Sequence, residues 1–375
     1  MSGTTAHLVA FGVPWTLDLS HLAAEDRYEV HRRWERCRAD VLDADPELTP
    51  QTTPVSPGSS AYDLSRHITR RSIDQQLGRL LLLHAAGLAD PTSGATLGLI
   101  APSGTGKTTS ARILGHRFGY VTDETLAVRD DLAVVPYPKP LSVIEEGHPE
   151  FKRELSATDH GLLPTPRDPR LGGTVLLHRD PTLLRPGLEP APLLDAVTQV
   201  IPQTSGLAWM SRPLVRLATA LTAGAGVHTL HYAEIGQCGD LLERLLDPGS
   251  DGVTAERDWA AVSPPPGAML PAPGSGPVSN PATSLPDGTR LVRAPWTDAL
   301  AVDGEVLVLI GSTPLRLAGV GAIVWTCADQ PVTVETATAH VVDALGPNPS
   351  DADLVAAAAL ELVRVGVLVP AEGPA

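Results

Sequence analysis

A loop with two glycines, between an apolar run and a helix-forming run, constrains this chain more than any other feature. The stretch LIAPSGTGKTTSARI occupies residues 99–113, and Gly104 and Gly106 stand where side chains would collide with a ligand held against the backbone. Such a loop turns backbone N–H groups inward, and the helix that follows presents its N-terminus to negative charge. The stretch therefore predicts a strand, a phosphate-binding loop and a helix in direct succession.

The loop departs from the pattern G-x-x-x-x-G-K-[ST] at its first position, where Ala101 replaces glycine. We expect the loop to tolerate this alanine if its φ is negative, and Pro102 fixes the next φ favourably. Lys107 is expected to reach the β- and γ-phosphates of ATP, and Thr108 to ligate Mg²⁺ through its hydroxyl. The predicted nucleotide-binding residues are Ser103, Gly104, Thr105, Gly106, Lys107, Thr108 and Thr109.

Composition narrows the class of protein. The chain has 375 residues, which suits two or three domains, and a formal net charge of −15. An acidic surface argues against non-specific binding of nucleic acid or anionic membranes. The three cysteines are far apart, which argues against a disulfide framework or a structural zinc site. Because the chain opens without a basic segment followed by an apolar one, we predict a cytoplasmic protein.

Changes in composition divide the chain into four parts. Residues 1–60 are expected to form an α+β extension packed on the core, and residues 61–248 form the phosphate-loop domain. Within that domain, LLLHAAGLA at residues 81–89 is interpreted as one buried strand. Residues 249–292 are rich in Pro, Gly and Ser, so we interpret them as a linker. A compact unit resumes over residues 293–371.

The C-terminal unit begins with a hairpin pattern. Asp303-Gly304 separates two apolar runs in DALAVDGEVLVLI, and this dipeptide favours a tight turn. A third strand, TPLRLAG, and three helical segments follow. Strands followed by three helices predict a small α+β module, similar to a winged helix, beside the α/β core.

Residues on both sides of the loop indicate which type of phosphate-loop protein this is. His84 precedes the loop strand, the sequence GHR follows the loop helix at residues 115–117, and Asp123 and Glu124 end the next strand. In this order the motifs resemble the HPr kinase family, the P-loop serine kinases allied to ATP-dependent phosphoenolpyruvate carboxykinase. The resemblance covers residues 60–245. It implies an HPr kinase/phosphoenolpyruvate carboxykinase-like nucleotide-binding core with ATP and Mg²⁺ as cofactors.

The same resemblance implies a role for each matching residue. Asp123 would be the general base that takes the proton from an attacking serine hydroxyl, and His84 would lie beside it and the γ-phosphate. Lys107 would complete the catalytic set. Glu124 would hold Mg²⁺ with Thr108. The family has Asp at the position of Glu124, so this carboxylate lies one methylene further from the backbone.

The segment PYPKPLSVIEEGHPEFKRE, at residues 136–154, stands where the family has a later glycine-rich segment with an acidic metal ligand. It does not match that segment clearly. We expect it to form a wall for the nucleotide or the acceptor, with Lys139 and Lys152 as candidate phosphate contacts. No transition-state arginine can be chosen among Arg112, Arg153 and Arg212.

Three short patterns characterise the C-terminal module: the hairpin with its third strand, then GAIVWTCADQPVTVETATAHV, then LELVRVGVLVP. Over residues 297–371 they resemble the PqqD-like domain, the recognition element of ribosomal peptide (RiPP) modifying systems. The resemblance implies that a leader peptide docks as an added strand at Leu315, Arg316 and Leu317. An exposed strand edge offers backbone hydrogen bonds and alternating pockets for such a peptide. A helical cap or dimerisation domain that binds no peptide is the alternative.

Two functions follow from these patterns. The first is an ATP-dependent kinase of ribosomal peptide biosynthesis that binds a precursor leader and phosphorylates a hydroxyl of the peptide. The second is a non-catalytic recognition protein, with a nucleotide-binding or degenerate kinase-like domain, that presents the precursor to other modifying enzymes. Ala101 and Glu124 motivate the second, whereas Lys107 and Asp123 favour the first. A small-molecule kinase would leave the C-terminal module without a role.

Overall fold

The structure, a computed structural model, describes residues 3–102, 104–145, 148–247 and 259–371. Helices and strands both contribute extensively, so the prediction of a mixed α/β protein is confirmed. The chain divides into two compact units, Met1–Met210 with Arg216–Ala255 and Ser211–Val215 with Glu256–Ala375. Among the residues described, no helix combines the length and the apolar character that crossing a membrane requires.

The first unit opens with a small sheet and two helices. Its first elements are β1 Thr5–Ala10, β2 Val13–Asp18, α1 Ala24–Arg33, β3 Gln51–Pro54 and α2 Ala61–Gln76. Phe11 and Gly12 form the turn between β1 and β2, both with positive φ, which matches the twist of a two-residue hairpin. β3 adds to β2 in parallel, across a connection that contains α1. Ser60 caps α2 by accepting a hydrogen bond from the Asp63 backbone N–H.

This N-terminal layer, the sheet β1–β3 with α2, shares one hydrophobic core with later segments of the first unit. A single buried cluster contains Trp15 of β2, Ile68 of α2, and Leu82 and Tyr137 from further along the chain. The indole N–H of Trp15 donates a hydrogen bond of 2.9 Å to the buried Ser72 hydroxyl. Removing these apolar side chains from water is the main force that joins the layer to the rest of the unit.

The middle of the first unit builds a six-stranded mixed sheet. The elements that follow α2 are β4 Leu81–Leu83, β5 Ala85–Ala89, β6 Ala95–Ile100, α3 Lys107–Leu114, β7 Gly119–Thr122, β8 Leu126–Val128, β9 Val134–Val135, β10 Leu141–Glu145, β11 His148–Leu155, β12 Arg170–Arg179, β13 Gly187–Pro190, α4 Leu193–Val200, β14 Thr204–Ser205, α5 Pro213–Leu221, β15 Val227–Tyr232 and α6 Gly239–Leu246. The order across the large sheet is β13-β15-β12-β6-β5-β7, with β6, β12 and β15 parallel to one another. A smaller sheet has the order β14-β4-β8-β9, and β10 and β11 form a separate hairpin.

The prediction of a single strand over residues 81–89 is wrong. The segment forms two strands in two different sheets, because β4 pairs with β8 and β14 whereas β5 pairs with β6 and β7. Both strands are fully buried, so their hydrophobicity gives no signal of the break. His84 is the one residue between them, and the chain passes from one sheet to the other at this side chain.

The second unit combines an antiparallel sheet with three helices. Its elements are β16 Trp259–Val262, β17 Leu291–Arg293, β18 Asp298–Val302, β19 Glu305–Ile310, β20 Thr313–Leu317, α7 Gly319–Cys327, α8 Val334–Leu345, α9 Asp351–Arg364 and β21 Leu368–Pro370. The predicted turn at Asp303-Gly304 is confirmed, since both residues have positive φ and join β18 to β19. The sheet order is β16-β18-β19-β20, and β17 pairs with β21.

The linker prediction is wrong for residues 259–292, which belong to the second unit. β16 extends the main sheet by pairing with β18, and β17 pairs with the C-terminal strand β21. Between them, the Ser312 N–H donates to the Ser275 carbonyl, and the Asn280 N–H donates to the Arg364 carbonyl. The segment is held by backbone pairing with distant strands, which its Pro- and Gly-rich composition does not reveal. Residues 249–258, also predicted as linker, lie outside the described residues.

We predict that Ile68→Ala lowers the free energy of unfolding of the first unit by about 2–5 kcal/mol, because Ile68 is fully buried in the shared core. The control is Arg70→Ala on the same helix, which changes an exposed side chain and is expected to alter stability by about 0.5 kcal/mol or less. Urea unfolding followed by tryptophan fluorescence checks both. Equal midpoints for the two variants would contradict a core shared with the N-terminal layer.

Candidate active site

Three neighbouring strands bring the predicted site residues to one edge of the six-stranded sheet. β5 lies between β6 and β7 and is antiparallel to both. Its first residue, Ala85, pairs with Ile100 at the end of β6, and Thr122 at the end of β7 pairs two residues further along β5. The start of β5 therefore lies beside the ends of both neighbours. This register places His84, the glycine loop and Asp123 at the same edge.

The two glycines of the loop are required by backbone conformation. Gly104 has φ +83° and Gly106 has φ +100°, and a Cβ atom added at either would have no neighbouring atom within 4 Å. The side of the loop on which these Cβ atoms would project therefore offers space for phosphate oxygens. Thr105 caps the turn, since its hydroxyl donates to the Pro102 carbonyl at 2.6 Å. Ser103, predicted to bind nucleotide, lies outside the described residues.

Ala101 fits the entrance of the loop without strain. It is not among the described non-glycine residues that adopt positive φ, so the condition for tolerating alanine is met. Its methyl group is 3% exposed and belongs to the same buried cluster as Leu99 and Ala111. The substitution of the usual glycine therefore adds apolar packing between the loop strand and the loop helix.

Lys107 begins α3 and folds back across the loop. Its ammonium donates hydrogen bonds to the Ala101 carbonyl at 2.6 Å and the Pro102 carbonyl at 3.1 Å. Burial lowers the pKa of Lys107, and the negative charge of Glu124 opposes this shift. The predicted positions Thr108 and Thr109 follow in the first turn of α3, where Thr108 is half-buried and Thr109 is exposed.

His84 couples the loop to the smaller sheet. Its Nε2 lies 2.8 Å from the Ser205 hydroxyl, and its backbone N–H donates to the Gln203 carbonyl at 2.7 Å. Burial lowers the pKa of His84, the nearby charge of Lys107 lowers it further, and Glu124 acts in the opposite direction. The imidazole is therefore neutral at pH 7 and lies within electrostatic reach of both charged residues.

The two carboxylates after β7 differ in exposure. Asp123 is 2% exposed, whereas about half of the Glu124 side chain is exposed to solvent. The Asp123 Oδ1 atom accepts a hydrogen bond from the Tyr120 hydroxyl at 3.1 Å, and Oδ2 accepts from the Ser142 N–H at 3.4 Å. Burial and the Asp123 carboxylate hold the pKa of Tyr120 well above its ordinary value, so this phenol stays a hydrogen-bond donor.

The structure corrects the expectation for Lys139, which is not a surface contact for phosphate. Its side chain is fully buried, and Nζ lies 3.1 Å from Asp123 Oδ1 and 3.3 Å from Glu124 Oε2. It also donates to the Ser142 hydroxyl and the Pro140 carbonyl, both at 3.0 Å. Burial alone would lower the pKa of Lys139, but the surrounding carboxylates outweigh it and raise the pKa well above its ordinary value. Lys139 is therefore an internal cation of the acidic pair.

A third carboxylate extends the cluster. Glu154 of β11 is 7% exposed, and its Oε1 accepts a hydrogen bond from the Ser142 hydroxyl. Its other oxygen has no partner among the residues described. Burial raises the pKa of Glu154, although Lys139 and the hydrogen bond from Ser142 act against the shift. Lys152, the second candidate phosphate contact, is exposed and lies with its Nζ 5.0 Å from the centre of the Tyr62 ring.

The predicted peptide-docking residues all lie in β20, the terminal strand of the second unit's sheet among the residues described. Leu317 is buried and Leu315 packs against the core cluster, whereas Arg316 is exposed and its guanidinium pairs with Glu305. The side chains thus alternate between the core and solvent along the strand. This alternation suits a strand that accepts a further partner on its outer side.

The chemistry of the donor set decides what could bind at the loop. The hydroxyl of Thr108 and the carboxylate of Glu124 are hard oxygen ligands of the kind that Mg²⁺ prefers, and Lys107 with the loop N–H groups suits phosphate. These residues therefore fit Mg-ATP. Both carboxylates contact Lys139, but Asp123 fits a metal less well because it is almost fully buried, whereas Glu124 is half exposed.

Sequence reasoning missed the partners that hold the site residues in place. Ser205 is 121 positions from His84, and Glu154 is 31 positions after Asp123. Neither carries a motif, since both lie on strands whose partners only the fold determines. For Lys139 the sequence did offer a signal. This lysine lies between two prolines in the apolar segment PYPKPL, and an apolar segment indicates burial.

The chain was also compared with known proteins. No protein-family model matches it, and no curated protein is significantly similar to it.

We predict that the pKa of His84, measured by NMR titration, lies below its ordinary value and rises in Lys107→Met. The variant removes a positive charge that disfavours the imidazolium ion. Lys152→Met removes an exposed lysine of the same type and is expected to leave the titration unchanged. A titration insensitive to Lys107→Met would show that the two side chains are not coupled.

Proposed function

We propose that the first unit is an ATP-dependent phosphotransferase of the HPr-kinase type that acts on a hydroxyl of a ribosomally made precursor peptide. The observation that carries this proposal is the convergence of the glycine loop, His84 and the pair Asp123-Glu124 at one sheet edge, through the pairing of β5 with β6 and β7. These groups are far apart in sequence. Their meeting at the N-terminus of α3 is the arrangement that phosphoryl transfer requires.

The residues suit distinct parts of the reaction. Lys107 and the loop N–H groups would hold the phosphate chain, and they would stabilise charge on the transferred group. As the bond between the γ-phosphorus and its bridging oxygen breaks, a bond forms from the peptide hydroxyl oxygen to that phosphorus. The hydroxyl proton would pass to Asp123 through Oδ2, because Oδ1 is paired with Lys139. ADP and the phosphopeptide are the products.

His84 would position the acceptor and the γ-phosphate without adding charge. As a neutral imidazole tied to Ser205, it offers one donor and one acceptor nitrogen in a fixed orientation. Thr108 and Glu124 would hold Mg²⁺, which neutralises the negative charge of the phosphates when it is bound. The longer side chain of Glu124 is half exposed, so it has the freedom to reach a phosphate-bound ion.

The second unit would capture the leader of the precursor peptide. Support comes from its three-stranded hairpin layer followed by three helices, and from the terminal position of β20 in the sheet. A leader added to β20 would gain backbone hydrogen bonds along Leu315–Leu317. Holding the leader on the same chain raises the effective concentration of the acceptor residue at the loop.

One observation favours the alternative function, a non-catalytic recognition protein. Asp123 is almost fully buried and its Oδ1 is already paired with Lys139, so little of the carboxylate is open to an incoming hydroxyl. In this alternative the first unit binds nucleotide without transferring phosphate, and the chain delivers the precursor to other modifying enzymes. A direct assay of the peptide product separates the two functions.

We predict that the full chain, incubated with Mg-ATP and its precursor peptide, adds one phosphoryl group to the peptide, as measured by mass spectrometry. Lys107→Ala is expected to slow the reaction by at least about 100-fold, because it removes a cation from the charged transition state. Arg70→Ala, which removes an exposed cation from α2, is the control and retains the rate. An unmodified peptide that still binds the chain would refute the kinase and favour the alternative.

We predict that Leu315→Ala weakens binding of the precursor leader by about tenfold, or about 1.4 kcal/mol. The change removes apolar contact area from β20, the strand proposed to accept the leader. Ala260→Glu is the control, since Ala260 is exposed on β16 at the opposite edge of the same sheet. Fluorescence anisotropy with a labelled leader measures both. Stronger loss in Ala260→Glu would move the docking site to the β16 edge.

A further inference from the structure

The acidic pair at the end of β7 meets an ammonium group. Asp123 and Glu124 are consecutive residues whose side chains leave the backbone in different directions, one buried and one half exposed. Both nevertheless end within 3.3 Å of Lys139 Nζ. The ammonium group therefore has carboxylate oxygens on two sides.

The contacts of the Lys139 ammonium group show that the fold fixes its position. Nζ has three N–H bonds and four oxygen neighbours, which come from Asp123, Glu124, Ser142 and Pro140. Glu154 adds negative charge behind Ser142, is more than nine-tenths buried and keeps one oxygen without a partner among the residues described. Burying a lysine this completely is costly unless its partners are fixed, so the cluster holds Lys139 in one position.

We propose that Lys139 is a positioning residue whose ammonium replaces a bound metal ion between Asp123 and Glu124. The consequence of this inference for Mg²⁺ binding rests on the proposed function. With this position filled by the chain itself, Thr108 and Glu124 would hold Mg²⁺ only together with oxygen atoms of the nucleotide phosphates. The protein without nucleotide then has little affinity for divalent ions, and Asp123 is held in a fixed orientation toward the acceptor.

Metal binding without nucleotide tests this inference separately from activity. The full chain, freed of metal, is titrated with Mn²⁺ while the free ion is followed by electron paramagnetic resonance. We expect no saturable binding below about 1 mM for the unmodified chain, and binding at least about tenfold tighter for Lys139→Met, whose unpaired carboxylates become available as ligands. Arg70→Met, which removes an exposed cation from α2, is the control and stays like the unmodified chain.

A second variant keeps the test decisive if Lys139→Met does not fold, as circular dichroism would reveal. The double change Lys139→Met with Asp123→Asn removes both charges of the buried pair at nearly constant volume, and it is expected to fold and to bind Mn²⁺ about as weakly as the unmodified chain. Saturable binding by the unmodified chain below about 1 mM would overturn the inference, as would a folded Lys139→Met protein without any gain.

The same titration distinguishes failure of this inference from failure of the proposed function. Repeating it with β,γ-methylene-ATP present reports whether the loop binds nucleotide with its metal. If the analogue does not bind and Lys139→Met still gains Mn²⁺ affinity, the phosphotransferase proposal fails and the role of Lys139 stands. If the analogue binds with Mn²⁺ and Lys139→Met gains nothing without it, the role of Lys139 fails alone.

Discussion

The pairing of β5 with two antiparallel neighbours is the constraint on which the candidate site depends. The strands pair through backbone hydrogen bonds in a fixed register, and this pairing does not depend on the side chains of the loop. Because the start of β5 lies beside the ends of β6 and β7, the residue before β5 and the residues that follow β6 and β7 lie close together. A shift of one residue in either pairing would turn the side chains of β5 to the opposite faces of the sheet.

Polar groups at this edge are held by partners from outside the sheet. Ser205 comes from the strand β14 of the smaller sheet, and Lys139 and Glu154 come from the segment around the β10–β11 hairpin. Ser205 lies within hydrogen-bond distance of the His84 ring, Lys139 pairs with both carboxylates after β7, and Glu154 accepts a hydrogen bond from Ser142. Such partners offset the cost of burying polar groups. The site is thus supported by two layers of structure that the loop motif itself does not contain.

The parts that could be predicted from the sequence are those with strong local signals. Gly104 and Gly106 require positive φ, and Asp303-Gly304 determines a turn through its own backbone preferences, so a short window suffices. The break at His84 could not be predicted, because apolar runs on both sides are equally buried in two different sheets. The role of Lys139, predicted as a candidate phosphate contact, and that of residues 259–292, predicted as a linker, depend on partners that lie elsewhere along the chain.

The strands that residues 259–292 contribute also bear on how the second unit can be isolated. A truncated protein that begins at residue 293, where the compact sequence pattern starts, would lack β16 and β17. The backbone groups of β18 and β21 that they satisfy would become open strand edges. Such edges pair readily with other copies, so this protein would be expected to aggregate. A soluble fragment therefore has to begin upstream of Trp259 and not at residue 293.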